Sequence, residues 1–146
     1  MRSLLIAVLF GLIGGVAVGL QGPLASLISQ RLGVLESAFL VHLGGTLLAL
    51  LLLLPFKGGR LGAWHTLPWY ALAAGTLGVL VLGSVSYTMP RIGATAGVML
   101  LIAGQLVISL IFDHFGLLNT AVRPIDLGRL AGLLFLAIGV WLIVRR

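Results

Sequence analysis

The sequence predicts an all-α integral membrane protein, with five transmembrane helices that pair with a second five-helix unit as an antiparallel, inverted dimer of ten. Three observations lead there. Of the 146 residues, 60% are hydrophobic and only 8% are charged, whereas an ordinary soluble domain carries about a quarter charged residues. Apolar runs of the ~20 residues that a bilayer crossing requires recur five times. The basic residues stand singly at the edges of those runs, where long cationic side chains reach the headgroup layer.

The elements follow in order. The first span covers about residues 4–27 and is interrupted at Gly22-Pro23, because proline removes a backbone donor. Its opening resembles a signal peptide, but no small-x-small cleavage site follows it and more spans do. The second span, about 35–54, stops at Pro55. The polar stretch FKGGRLGAWHTLP leads to the third, about 69–88. The fourth covers about 92–112, and DHFGLLNTAVRPID connects it to the fifth, about 127–144. Loops this short leave no aqueous domain, so residues 1–146 read as a single transmembrane domain. Glycines at spacings of four (Gly11, Gly15 and Gly19; Gly93 and Gly97; Gly128 and Gly132) suit close helix packing. Trp64, Trp69, Tyr70 and Trp141 fall at span ends, where amphipathic rings anchor to the interface.

The net charge of +6 does not indicate nucleic acid, because the basic residues are scattered and not clustered on one face. The absence of cysteine excludes disulfides and thiolate chemistry. Neither HExxH nor a carboxylate pair at membrane depth is present, and the Gly-Ser step of LGSVS has no base at a defined spacing. The sequence is therefore read as a non-enzyme with no metal site and no cofactor.

The balance of charge across the membrane is informative. Five spans put Arg2, Lys57, Arg60, Arg123 and Arg129 on one side and Arg31, Arg91, Arg145 and Arg146 on the other, five against four. A clear Lys/Arg excess normally fixes orientation. Near-parity predicts insertion both ways and an antiparallel homodimer, in which two identical chains act as the inverted repeats of a transporter; the alternative is a single orientation fixed by charge position or by a partner.

Polar groups at membrane depth usually face an interior or an aqueous path. Gln21 either touches solute or sits at a kink at Pro23, whose freed carbonyl Gln21 or Ser26 satisfies. Gln105 and Ser109, one turn apart in the fourth span, either clamp a neighbouring helix or line a solute path. Tyr87 stands out from Ser84 and Thr88 on the third span, since serine and threonine often bond back to their own helix. Trp69 is an anchor or part of a vestibule. Glu36 and His42 are the candidates for a proton relay, against a purely structural His42. Asp113 and His114 fall where the fourth span ends, with Arg123 or Arg129 as the partner of Asp113. Adjacent helical residues point apart, so the two form no catalytic dyad.

In order along the chain, GLQGPL, PWYALAAGTLGVL, MPRIGAT, AGQLVISLIFDHFG and RLAGLLFLAIGVWLIVRR resemble the five-span branch of the drug/metabolite transporter superfamily, the YdcZ-like inner-membrane proteins. Gln21, Pro68, Trp69, Gly75, Gly78, Pro90, Gly93, Gln105, Asp113 and Gly116 match its pattern, while Gly22 and Ala74 depart from it. The resemblance implies a multi-pass protein of the bacterial inner membrane, half of a ten-helix transporter completed by a second copy or a sister chain. The first-helix carboxylate of four-span relatives is missing here.

Together these readings predict alternating-access movement of a small organic solute, with Gln21, Trp69, Tyr87, Gln105 and Ser109 along the path. Pro23, Pro90, Gly93, Asp113, His114 and Gly116 are structural. The rival reading is a passive dual-topology pore, or a helper subunit of another membrane protein.

Overall fold

A computed structural model describes residues 2–145, and the side chains from Leu4 to Arg145. Among the described residues, all regular structure is helical. The helices are α1 (Arg2–Leu32), α2 (Val34–Leu53), the single turn α3 (Trp69–Leu72), α4 (Ala74–Ile92), α5 (Ala94–Phe115) and α6 (Leu127–Val144). Short 3-10 turns lie at Leu54–Phe56, Leu61–Thr66 and Leu117–Asn119. Five stretches, with α3 and α4 counted as one, are long and apolar enough to cross a membrane.

Helix α1 differs most from the sequence expectation. It runs unbroken through Pro23 for 31 residues, roughly 46 Å of helix against a hydrocarbon core of about 30 Å. Proline deletes one hydrogen bond, the one Gly19 O would accept, and without water to compete the rest of the ladder holds. The expected end near Leu27 falls just before the polar residues Ser29, Gln30 and Arg31. Two of these bond within α1. Ser29 Oγ donates to Ser26 O at 2.9 Å and Gln30 Nε2 donates to Ser26 Oγ at 3.3 Å.

Gly33 ends α1 and starts α2 in a single residue, with φ 117° and ψ 163°. Its N–H donates to Ser29 O at 3.0 Å, and its carbonyl accepts from Ser37 N at 3.1 Å. Gly93 repeats the device between α4 and α5, with φ 87° and ψ 159°, bonding to Met89 O and Gly97 N. Side chains rarely adopt that backbone state, so Arg31-Leu32-Gly33 and Arg91-Ile92-Gly93 make the same reversal. The parallel extends into the preceding helices: Gly22, Ala25 and Ser26 are buried, and Leu82, Val85 and Ser86 hold the corresponding positions sixty residues on, also buried.

The chain forms two compact units, Met1–Tyr87 and Thr88–Arg146. In the first, α1 packs along α2, with Ala25, Ala38 and Leu82 at the centre of the buried cluster. Ser37, fully buried, donates to Ala25 O at 2.7 Å and ties α2 to α1. In the second, α5 packs along α6, with Gly139 against Met99. Large apolar side chains elsewhere on the helices, such as Phe10, Leu51 and Phe135, are exposed, as a lipid-facing surface requires.

Candidate functional site

A groove that carries polar side chains belongs to the second unit, along the α5–α6 hairpin. Ser109 and Asp113 lie one turn apart on α5 and share a face. With Arg129 of α6 they form the polar wall of an open groove of about 410 Å³, whose remaining lining includes Leu106, Leu110 and Leu133. A mostly apolar cleft with a few convergent polar groups is the usual build of a small-molecule site. Gln105 is one turn before Ser109 on α5. Both side chains are exposed, and neither has a hydrogen-bond partner among the described residues.

The groove ends in a tightly built loop. Arg129 Nη1 lies 3.4 Å from Asp113 Oδ2, both side chains being partly exposed, and also donates to Arg123 O at 3.2 Å. Arg123 N donates to Asp113 O at 2.8 Å. Asp126 caps α6 by accepting from Arg129 N at 2.8 Å, the usual use of a carboxylate at a helix N-terminus. His114 Nδ1 accepts from Ile125 N at 3.2 Å, which makes Nδ1 the unprotonated nitrogen. Gly116 closes α5 in the left-handed state, φ 63°, and Thr120 Oγ donates to the Phe112 carbonyl at 2.9 Å. Asp113 and His114 therefore belong to the last turn of α5, three residues beyond the expected end of the span at most, and both serve the loop.

The first unit holds the other candidates. Gln21 is exposed on α1 beside buried Gly22, with no side-chain partner among the described residues. Trp69 is 80% exposed and meets Tyr70 edge-on, the ring centroids 6.2 Å apart. Tyr87 is exposed near the end of α4, and Pro90 lies inside the last turns of that helix without ending it. His42 is half-buried, and its Nδ1 donates to Ala38 O at 2.7 Å. Its Nε2 faces Gly78 so closely that a Cβ at Gly78 would collide with it. Glu36 sits in the first turn of α2 with its carboxylate folded over Gly33. Six residues separate Glu36 from His42, about 9 Å along the helix and some 240° around it, so the structure does not bring the two together.

Ser26, Ser37 and Ser86 are buried; the sequence offered Ser26 only as a partner for the carbonyl freed at Pro23, and it did not single out Ser37 or Ser86. Serine is common in membrane helices and usually bonds to its own backbone. The sixty-residue register shared by Gly33 and Gly93 was the one signal that marked two of them. Ser86 Oγ is buried with no partner, although Ser29 Oγ reaches the Ser86 carbonyl at 3.5 Å. Among the described residues no cluster of three or more His, Cys, Asp or Glu could hold a metal ion.

Helices of this number, length and apolar character define the class of multi-pass membrane proteins. The comparisons narrow the class: residues 6–142 match the family described as "Putative inner membrane exporter, YdcZ", and the chain belongs to that family. It is 28% identical to the inner membrane protein YdcZ of Escherichia coli (strain K12), over 99% of this chain and 97% of that protein. No solved structure matches. The chain is thus a multi-pass protein of the bacterial inner membrane, and the family's description supports a transporter role.

Proposed function

We propose that the chain is one half of an alternating-access exporter of a small organic solute, and that it pairs with a second copy in the opposite orientation. The α5–α6 groove is the observation that carries this reading. A soluble protein spends polar side chains freely, but in hydrocarbon each unpaired polar group is costly. Ser109 lines the groove and Gln105 lies a turn away, both without partners among the described residues. Such groups are stable only against water, a solute or another subunit. The apolar lining suits the body of an organic molecule, and the hydroxyl and amide suit its polar end. Gln21, Trp69 and Tyr87, which belong to the first unit, are further candidates for solute contact in this reading, and Glu36 and His42 are, each by itself, groups available for proton coupling.

Near-equal charge on the two sides supports dual insertion, and an odd number of spans lets one sequence serve as both inverted repeats. The two groove walls of the dimer would then exchange roles as the transporter alternates between its open states.

The test uses proteoliposomes of the purified chain incubated in a cell extract, with mass spectrometry of the solutes taken up. The reading predicts at least one solute with saturable uptake. In Gln105→Leu, with assembly intact, its affinity falls about three- to tenfold, as for one lost hydrogen bond. Uptake that never saturates would indicate a pore. No uptake, together with constant co-purification of one other membrane protein, would indicate a helper subunit.

A further inference from the structure

We propose that the loop between α2 and α3 is a binding site for an anionic phospholipid, with Arg60 on the phosphate and an acyl chain in the cavity behind it. The sequence that ends α2 builds this cavity. Pro55 stops the apolar run, and the chain turns sharply through Lys57, Gly58 and Gly59, all at positive φ. Gly58 N donates back to Leu53 O at 3.2 Å and Lys57 N to Leu54 O at 3.1 Å, a helix ending that satisfies the last carbonyls. The 3-10 turn Leu61–Thr66 follows, closed internally by Thr66 Oγ donating to Ala63 O at 2.7 Å, and shares a cavity with Leu53 of α2.

The enclosed space is an open-sided cavity of about 420 Å³, lined by Leu53, Leu61, Ala63, Trp64 and Leu67 among others, with Arg60 as its charged group. Among the described residues Arg60 has no carboxylate partner, and no Asp or Glu occurs anywhere between Glu36 and Asp113. Lys57, three residues away, is in the same position. An unpaired guanidinium on the wall of an apolar cavity, at the end of a membrane span, is complementary to one kind of occupant. It needs an anion with a hydrocarbon tail, and its planar fork matches the two free oxygens of a phosphodiester. Trp64 supplies the interfacial ring that such headgroup-level sites favour. A free organic phosphate would satisfy Arg60 but leave Leu53, Leu61 and Leu67 bare, so the cavity selects the lipid. This site requires only the membrane location of the chain and is independent of what it transports.

Native mass spectrometry of the purified full chain in a neutral detergent tests the proposal, comparing phosphatidylglycerol with phosphatidylcholine of identical chains. We expect the wild-type chain to retain phosphatidylglycerol preferentially and saturably. Arg60→Gln should weaken that retention on the order of tenfold, while Arg31→Gln, which removes one charge at another span end, leaves it unchanged. Ala63→Phe, which fills the cavity and keeps every charge, should release the lipid as Arg60→Gln does, and it serves if the arginine variant fails to fold. Equal losses in Arg60→Gln and Arg31→Gln, or no preference between the lipids, would overturn the site in favour of diffuse attraction. Full displacement by millimolar glycerol 1-phosphate would overturn the lipid assignment and make the loop a site for a free organic phosphate.

Discussion

Ser37 and Ser86 show what a buried hydroxyl does in this chain. Both are almost wholly buried, but Ser37 Oγ donates to Ala25 O while Ser86 Oγ has no partner. Interhelical hydrogen bonds in membrane proteins contribute about 0.6 kcal/mol on average and up to ~1.7. Ser37→Ala should therefore lower unfolding stability in detergent by about 0.5–1.5 kcal/mol. Ser86→Ala removes a desolvated group that gains nothing in return, and should change stability by less than about 0.5 kcal/mol or raise it. Equal losses for both would mean that the hydroxyls matter only through packing. Sequence reading concentrated on the glutamines because an amide in an apolar run is conspicuous. A serine in such a run is ordinary, and only packing distinguishes the one that ties two helices from the one that does not.

The number and apolar character of the helices were legible, because hydropathy over some twenty residues averages out local detail. Their ends were less so, and each error has a local cause. Gly22-Pro23 reads as a break, but one missing donor does not open a helix that has no water to bond instead. The residues after Leu27 read as lying beyond the span, Ser29, Gln30 and Arg31 being polar, yet Ser29 and Gln30 bond to α1 itself. Ile92 reads as the start of a span, whereas the reversal falls at Gly93, the residue that tolerates positive φ. The α5–α6 loop was legible in part: the sequence offered Arg123 and Arg129 to Asp113, and the side chain that reaches it is that of Arg129, anchored by the Asp126 cap. Arg123 contributes its backbone. Because the pair is partly exposed, its coupling should be modest. A double-mutant cycle of Asp113→Asn and Arg129→Gln should give about 0.5–1 kcal/mol, with each single variant also loosening the loop as seen by faster amide exchange at Ile125 and Arg123. A coupling of zero would mean that the loop is held by its backbone bonds alone.

At the scale of the whole molecule, the proposed mechanism rests on a property of the full chain that no single residue carries. Five spans and basic residues divided five against four leave orientation without its usual determinant, and a transporter made of inverted halves needs both orientations. In that proposal Gln105 and Ser109 act only within such an assembly, where two copies of the α5–α6 groove would enclose a path. The most direct measurement is C-terminal accessibility. One cysteine is added after Arg146 and labelled in intact cells with a membrane-impermeant thiol reagent, and the native chain, having no cysteine, gives no background. The account predicts labelling of about half the molecules, rising to all of them after permeabilisation, in the ratio that equal numbers of opposed subunits require. Labelling of every molecule, or of none, before permeabilisation would contradict it, because a single orientation leaves the chain without an inverted copy of itself.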